Sequence, residues 1–130
     1  MVASVRYFSR TGNTKLLAEA IAKAANTNAI SVDHQEAPIS EEVDVLFIGG
    51  ALYAYGIDKN LKDYLSTLGK EKVKKAVVFS TSWLSKHAIT LIKNELKDQG
   101  IQVTDEYFYA VGKPKKVVLD KAEEFAKKYV

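Results

Sequence analysis

Three hydroxyl side chains, an amide and a glycine lie within six residues near the start of the chain. Residues 9–15 read Ser-Arg-Thr-Gly-Asn-Thr-Lys, after an apolar run and before a helical pattern. The first turn of a helix leaves N–H groups without partners and carries the positive end of the helix dipole, so it favours an anion. Four side chains add donors, namely Ser9, Thr11, Asn13 and Thr14, and Gly12 lets the backbone approach closely. We therefore predict an anion site here, in preference to a helix start simply capped by Thr11 or Asn13.

Apolar runs alternate with helical patterns along the whole chain, and these elements must position the loop. Runs at residues 2–8, 29–32, 43–48, 76–79 and 101–111 favour strands, and periodic stripes favour helices at 14–25, 58–68, 86–98 and 117–129. Asp58 suits an N-cap, and Gly69 and Gly100 suit helix ends. Residues 33–42 form a loop in this interpretation. We expect one α/β domain over residues 1–130, with an open, doubly wound parallel sheet of five strands and helices on both faces.

Ligands of such sheets bind beyond the carboxyl ends of the strands. The rule selects the loops at residues 9–14, 49–57 and 80–85, which are rich in glycine, hydroxyl or aromatic residues. The Gly-x-x-x-x-Gly-Lys-Ser/Thr loop of nucleoside triphosphatases and the Gly-x-Gly-x-x-Gly dinucleotide fingerprint are absent. A phospho-acceptor receiver domain needs acidic residues where the first and third strands end, but Ser9 and Gly49 stand there.

Composition narrows the function classes. The chain has 19 Lys and Arg against 16 Asp and Glu, a net charge of +3, and only two of its cations are arginine, which argues against nucleic acid. The absence of cysteine excludes thiolate metal sites and thiol catalysis. No apolar run approaches the ~20 residues of a membrane span. We expect a cytoplasmic protein without a membrane span and without a metal site, and His34 and His87 as surface residues.

The segment Tyr-Phe-Ser-Arg-Thr-Gly-Asn-Thr at residues 7–14 resembles the Ser/Thr-x-Thr-Gly-x-Thr phosphate loop of flavodoxins, which hold the terminal phosphate of FMN. The resemblance covers nearly the whole chain and is to the short-chain type. It implies a strand order of 2-1-3-4-5 and FMN as the cofactor. It also implies three groups of cofactor-binding residues: Ser9, Arg10, Thr11, Gly12, Asn13 and Thr14; Ala51, Leu52, Tyr53, Ala54, Tyr55 and Gly56; and Ser80, Thr81, Ser82 and Trp83.

The aromatic residues of the second and third loops are the candidates to flank the flavin ring. Tyr53 falls where flavodoxin-like proteins often place a stacking residue, with Tyr55 as the alternative. Trp83 either covers the other face of the ring or anchors its loop. Ala54 matches a position where many flavodoxins have a glycine whose peptide turns over on reduction, which predicts a less stabilised one-electron-reduced flavin unless Gly56 supplies the turn. Less negative charge than in acidic-loop flavodoxins predicts a higher second reduction potential.

The resemblance implies an electron carrier that shuttles electrons between redox partner proteins, a reductase and an acceptor. The flavin does the chemistry, so no catalytic residue is expected, and we expect a monomer. Two alternatives stay open. One is a flavodoxin-fold oxidoreductase of the quinone or protoporphyrinogen type. The other is a module that has lost FMN and binds a partner protein.

Overall fold

The computed structural model describes residues 1–83 and 85–130. Within these ranges the chain forms five strands and four helices, in the order β1 (Ala3–Tyr7), α1 (Asn13–Ala24), β2 (Ala29–Ser31), β3 (Val45–Ala51), α2 (Lys59–Ser66), β4 (Lys75–Thr81), α3 (His87–Asp98), β5 (Gln102–Ala110) and α4 (Lys116–Lys127). The strands form one parallel sheet in the order β2-β1-β3-β4-β5. The predicted fold class and strand order are confirmed.

Strand alternation divides the core between the two faces of the sheet. In β3, Phe47 belongs to the cluster that includes α1 and α4, whereas Leu46 and Ile48 belong to the cluster that includes α2 and α3. The helices supply apolar residues at helical spacing, such as Leu17 and Ile21 of α1. The central strands are therefore apolar on both faces, which is what a parallel sheet covered by helices requires.

The third strand continues through two glycines that were expected to end it. β3 reaches Ala51, three residues beyond its predicted end at residue 48. β4 reaches Thr81, two residues beyond its predicted end at residue 79. A Cβ on Gly49 would lie 2.4 Å from the ring of Phe79, and one on Gly50 would lie 2.4 Å from Leu61. The strand continues because these glycines leave room for side chains packed against it. The second and third loops therefore begin later than predicted.

The predicted helix ends differ in accuracy. α3 is followed by Gly100 at φ +78°, as expected for a glycine just past a helix. The prediction for Gly69 was wrong, because α2 ends at Ser66 and Thr67 forms its C-cap. The hydroxyl of Thr67 donates to the carbonyl of Tyr64 at 2.6 Å, so a threonine closes this helix.

The loop between β2 and β3 is fixed by a buried carbonyl. The Ala37 carbonyl accepts hydrogen bonds from Arg6 Nε at 2.8 Å and from the Tyr64 hydroxyl at 2.6 Å. Arg6 is only 7% exposed, and Ala37 is fully buried. The segment predicted as a loop is thereby held against β1 and α2 without forming a helix.

The edge strand β5 departs from regular pairing in its middle. The step from Ala76 to Val78 in β4 is matched by the longer step from Val103 to Tyr107 in β5. The excess forms a bulge around residues 104–106, where the Thr104 hydroxyl donates to the Glu106 carbonyl at 2.8 Å. Beyond the bulge, β5 pairs regularly with β4 as far as Ala110, which brings its end beside the loop after β4.

Candidate functional site

A cavity of about 340 Å³ opens at the carboxyl ends of β1, β3, β4 and β5. It is lined by Ser9, Arg10, Thr11, Asn13, Thr14, Ala51, Leu52, Tyr53, Thr81, Ser82, Trp83 and Gly112. All but the last of these were predicted from the sequence, and they come from all three predicted loops. The edge of the sheet chosen by the strand-end rule is therefore where the structure forms its cavity.

The first loop leaves the start of α1 open. Gly12 is the N-cap, at φ +95°, and its N–H donates to the Ser9 hydroxyl at 3.0 Å. No side-chain cap bond is made at Gly12, so the simple cap by Thr11 or Asn13 is not formed. The N–H groups of a first turn have no partners within the helix, and here that turn begins at the cavity wall. The arrangement suits an anion, as predicted.

A buried pair of hydroxyls joins α1 to β4. The Oγ1 atoms of Thr14 and Thr81 lie 2.6 Å apart, and both residues are almost completely buried. Each hydroxyl can donate one hydrogen bond and can also accept, so a hydrogen bond between the two gives each buried hydroxyl a partner. This contact fixes the floor of the cavity between the first and third loops.

Arg10 connects the first loop to the second. Its guanidinium carbon lies 3.9 Å from the centroid of the Tyr53 ring, a cation–π contact. The guanidinium also donates to Asp58 Oδ2, from Nε at 2.9 Å and from Nη2 at 2.5 Å, and it contacts the Tyr55 hydroxyl. Asp58 is the N-cap of α2, accepting from the Asn60 N–H at 2.7 Å. One cation therefore ties together both loops and the start of a helix.

The electrostatics of this cluster keep both members of the ion pair charged. Hydrogen bonds with Tyr55 and Asp58 raise the pKa of the Arg10 guanidinium. Burial acts to raise the pKa of Asp58, but hydrogen bonds from Arg10 and Asn60 outweigh it and lower that pKa overall. Burial raises the pKa of Tyr53, although the neighbouring Arg10 opposes this. Tyr53 is therefore neutral and keeps its hydroxyl proton at neutral pH.

Residues 53–56 form a tight turn at the mouth of the cavity. The N–H of Tyr53 donates to the Gly56 carbonyl at 2.7 Å, and the Gly56 N–H donates back at 3.0 Å. Gly56 has φ +120°, a conformation that L side chains rarely adopt, whereas Ala54 has no positive φ. Gly56 thus supplies the turn in this structure, which is the alternative that the sequence left open. The expectation about Ala54 and reduction stays a prediction.

The two tyrosines of the turn have different positions. Their rings stack on each other, with centroids 6.3 Å apart and planes 26° apart. Tyr53 lines the cavity, while Tyr55 is 67% exposed. Ala54, Tyr55 and Gly56 line a neighbouring groove together with His87 and Leu91. Of the two candidate tyrosines, Tyr53 is therefore the one that lines the main cavity.

Trp83 follows β4, lines the cavity and is 76% exposed. It lies against Gly112, where a Cβ would come within 2.2 Å of its ring, so no other residue type fits there without moving the tryptophan. Gly112 is the lining residue that sequence reasoning missed. A glycine directly after the last predicted strand was the available signal.

The serines of the third loop differ in role. The hydroxyl of Ser80, within β4 and fully buried, donates to the Gly50 carbonyl at 2.7 Å, so Ser80 joins two strands and does not line the cavity. Ser82 does line it, and its carbonyl accepts from the Tyr109 hydroxyl at 2.9 Å.

A further predicted site residue, Gly12, shapes the first loop without lining the cavity. Leu84, within the predicted third loop, lies outside the described residues.

No group of three or more His, Asp or Glu residues is placed to hold a metal ion in residues 1–83 and 85–130. None of the helices described in those ranges has the length and apolar character needed to cross a membrane.

Solved structures of known proteins share this fold. A flavodoxin from the domain Archaea has 24% sequence identity, with 99% of this chain and 96% of that chain covered and a TM-score of 0.78. Flavodoxin 1 from Bacillus cereus has 21% identity, covers 98% and 95%, and has the same TM-score of 0.78. The rubredoxin oxygen:oxidoreductase of Desulfovibrio gigas has 13% identity and a TM-score of 0.85, and 98% of this chain matches 34% of that longer one.

The family comparison covers most of the chain. No curated protein sequence matches it. The model of the flavodoxin domain, however, matches residues 4–121, which run from β1 into α4 and include all four loops around the cavity. With this match, the chain belongs to the flavodoxin family.

Proposed function

We propose that this protein binds FMN non-covalently and carries electrons between redox partner proteins, a reductase and an acceptor. The observation that carries the proposal is that a single cavity combines an open helix start with Tyr53 and Trp83 at its mouth. A helix start suits a phosphate, and aromatic side chains suit a flat ring. The family to which the chain belongs supports the same ligand.

The residues present fit FMN chemically. The first-turn N–H groups of α1 and the hydroxyls of Ser9 and Thr11 would hold the phosphate. Tyr53 and Trp83 would flank the ring, and Thr81 and Ser82 would face its polar groups or the ribityl chain. Bound FMN supplies the one- and two-electron chemistry. The chain's own residues bind and orient it, and they keep water from its buried parts.

The test is a titration of the purified protein with FMN, followed by flavin fluorescence and by emission of Trp83, the only tryptophan. We expect quenching of both fluorophores and a Kd below about 1 μM, since the cavity supplies both phosphate and ring contacts. The holoprotein should then relay electrons from a flavin-dependent reductase to an acidic haem protein such as cytochrome b5. No binding at micromolar FMN would overturn the proposal and favour a partner-binding module.

A flavodoxin-fold oxidoreductase is the second candidate. The groove of about 380 Å³ beside the turn, lined by Leu52, Tyr53, Tyr55, His87 and Leu91 among others, offers aromatic and aliphatic side chains with one imidazole next to the main cavity. A small quinone is the substrate class that fits such a surface. Turnover of a quinone with NAD(P)H, without any added reductase, would favour this enzyme over the carrier.

A further inference from the structure

The exposed large apolar side chains fall into two groups among the described residues. Met1, Val2 and Val130 lie at the chain termini. The others all lie at the edge of the sheet where the cavity opens: Tyr55 at 67% exposure, Trp83 at 76%, Val111 at 58% and Val117 at 60%. Apolar groups exposed together around a binding cavity are typical of a surface that contacts another protein.

The four loops around the cavity carry an excess of positive charge. The four loops around the cavity are residues 8–12, 52–58, 82–86 and 111–115, and their charged residues are four cations and one anion. The anion is Asp58, which is 5% exposed and paired with Arg10. These loops therefore carry a net charge of +3, the same as the whole chain, so the remaining residues are neutral in sum.

Three of the four cations in these loops can contact a partner protein. Lys86, Lys113 and Lys115 are exposed, and within the described ranges none of them has a carboxylate within 4.0 Å. Lys86 lies 5.7 Å from the ring centroid of Tyr109, whose hydroxyl holds the Ser82 carbonyl at the cavity wall. Lys113 follows Gly112, on which Trp83 lies. These lysines therefore border the apolar group on the side of β4 and β5.

Two acidic residues at the same edge of the sheet lie away from these lysines. Asp33 and Glu36 follow β2, at the far end of the sheet from β4 and β5. Lys116 is neutralised by Asp120 at 3.0 Å within α4. A phosphate at the start of α1 would bring up to about two negative charges into the cavity, so the four loops, at +3, would still be positive in sum.

We propose that Trp83 and Val111, bordered by Lys86, Lys113 and Lys115, form a docking surface for an acidic redox protein. The apolar side chains supply contact area, and the lysines attract and orient a partner whose own exposed cofactor is ringed by carboxylates. A second copy of this chain is a poor occupant because it would bring lysines against lysines. Nucleic acid is less suited because Arg10, the cation best able to read bases, is held by Asp58. The inference rests on the proposed function for the role of the partner, but docking is measured without electron transfer.

The experiment measures binding of two small redox proteins of opposite charge by titration calorimetry. The probes are a plant-type [2Fe–2S] ferredoxin, which is acidic, and cytochrome c, which is basic. The protein is first saturated with FMN, and loading is checked by its spectrum. We expect the ferredoxin to bind at least about tenfold more tightly than cytochrome c at about 50 mM salt, and to lose most of that affinity at about 300 mM.

Two charge-reversal variants of equal net charge separate local from global effects. K86E/K113E/K115E changes the proposed surface, whereas K70E/K97E/K127E changes exposed lysines near the opposite edge of the sheet. We expect the first to weaken ferredoxin binding by about tenfold or more and the second by less than about threefold. Equal losses in both variants, or equal affinity of the wild type for both probes, would overturn the proposal.

The apolar part is tested with Val111→Ser, and Val2→Ser is the control because Val2 is similarly exposed, at 51%, beside the start of β1. Val111→Ser should weaken ferredoxin binding severalfold and leave its salt dependence unchanged, while Val2→Ser should have no effect. A single-stranded dT20 or an anionic vesicle that binds more tightly than the ferredoxin would also overturn the proposal. If FMN does not load but the ferredoxin still binds as described, the proposed function fails and the docking surface stands.

Discussion

One carboxylate oxygen of Asp58 accepts hydrogen bonds from both Nε and Nη2 of Arg10, at 2.9 and 2.5 Å. The two residues are 48 positions apart, so the contact joins the first loop to the start of α2. The same guanidinium lies 3.9 Å over the Tyr53 ring. Arg10 was predicted to contact the cofactor, and in this structure its guanidinium donates to Asp58 and lies over the ring of Tyr53. We therefore expect it to act chiefly by positioning Tyr53.

Replacing Arg10 with Gln should weaken binding of FMN and of riboflavin by a similar factor, about three- to tenfold. The reason is that the substitution frees Tyr53 and removes an ion pair, which affects the ring site whether or not the ligand has a phosphate. The measurement is the ratio of the two affinities, obtained by flavin fluorescence titration.

Lys15→Gln is the matched control for Arg10→Gln, because it removes a nearby exposed cation that has no ion pair among the described residues. It should leave the riboflavin affinity unchanged. If Arg10→Gln weakens FMN binding alone, Arg10 binds the phosphate directly and the positioning role is wrong.

Replacing Asp58 with Asn should lower the free energy of unfolding by an amount that depends on pH. The pKa of Asp58 is lowered in the fold, so its ionised form stabilises the protein above the unfolded pKa of about 4, and this contribution is lost as pH falls toward the folded pKa. The difference between wild type and Asp58→Asn in the free energy of unfolding should be constant from about pH 7 to 5 and should shrink below that. Urea unfolding at several pH values measures it.

Two further variants serve as comparisons for Asp58→Asn. Asp58→Ala should cost about 1 kcal/mol more than Asp58→Asn, because alanine cannot cap α2. Asp63→Asn, which removes the carboxylate of an exposed pair with Lys59, should change stability by less than about 1 kcal/mol. A difference for Asp58→Asn that persists unchanged to pH 3 would contradict the assignment.

Replacing Thr14 or Thr81 with Val should each cost about 1–3 kcal/mol, because a buried hydroxyl loses its partner. The double variant should cost less than the sum of the singles, since it removes both polar groups together. Thr90→Val, on the exposed face of α3, serves as the control. Additive losses in urea unfolding would show that the two hydroxyls do not act as a pair.

Replacing Gly112 with Ala should move Trp83, because the new Cβ would lie 2.2 Å from its ring. The emission of this single tryptophan should shift, and FMN affinity should fall. Gly100→Ala is a close control: Gly100 also has a positive φ, +78° against +64°, but its nearest neighbour is Lys70 at 3.4 Å. Both should lose about 1–2 kcal/mol of stability from the backbone, and only Gly112→Ala should change Trp83 emission. Identical emission in both would contradict the contact.

The sequence was sufficient to predict the fold because each element carries its own signal. Strands such as β3 are continuous apolar runs, and α2 has an apolar stripe after an N-cap aspartate. Strand ends were less predictable. Glycine usually interrupts a strand, and only the packing of Phe79 and Leu61 against Gly49 and Gly50 shows why β3 continues.

The site was predictable where local chemistry marked it and not where it depended on contacts between distant residues. The hydroxyls of the first loop and the tyrosines of the second are visible as types in the sequence. The pairing of Arg10 with Asp58 and of Thr14 with Thr81 depends on tertiary packing. Ser80 illustrates the same limit, because its side chain turns toward Gly50 only once β3 and β4 are aligned.

The bulge in β5 has a consequence for how the protein behaves at high concentration. A nine-residue edge strand is long enough to pair with a strand of another molecule, which is a common start of aggregation. Here the exposed Asp105 and Glu106 lie in the bulge, and the Asp105 carbonyl already accepts from Lys93 at 3.0 Å. The interrupted register and the two carboxylates disfavour a regular ladder with another strand along this edge, so we expect the bulge to oppose aggregation.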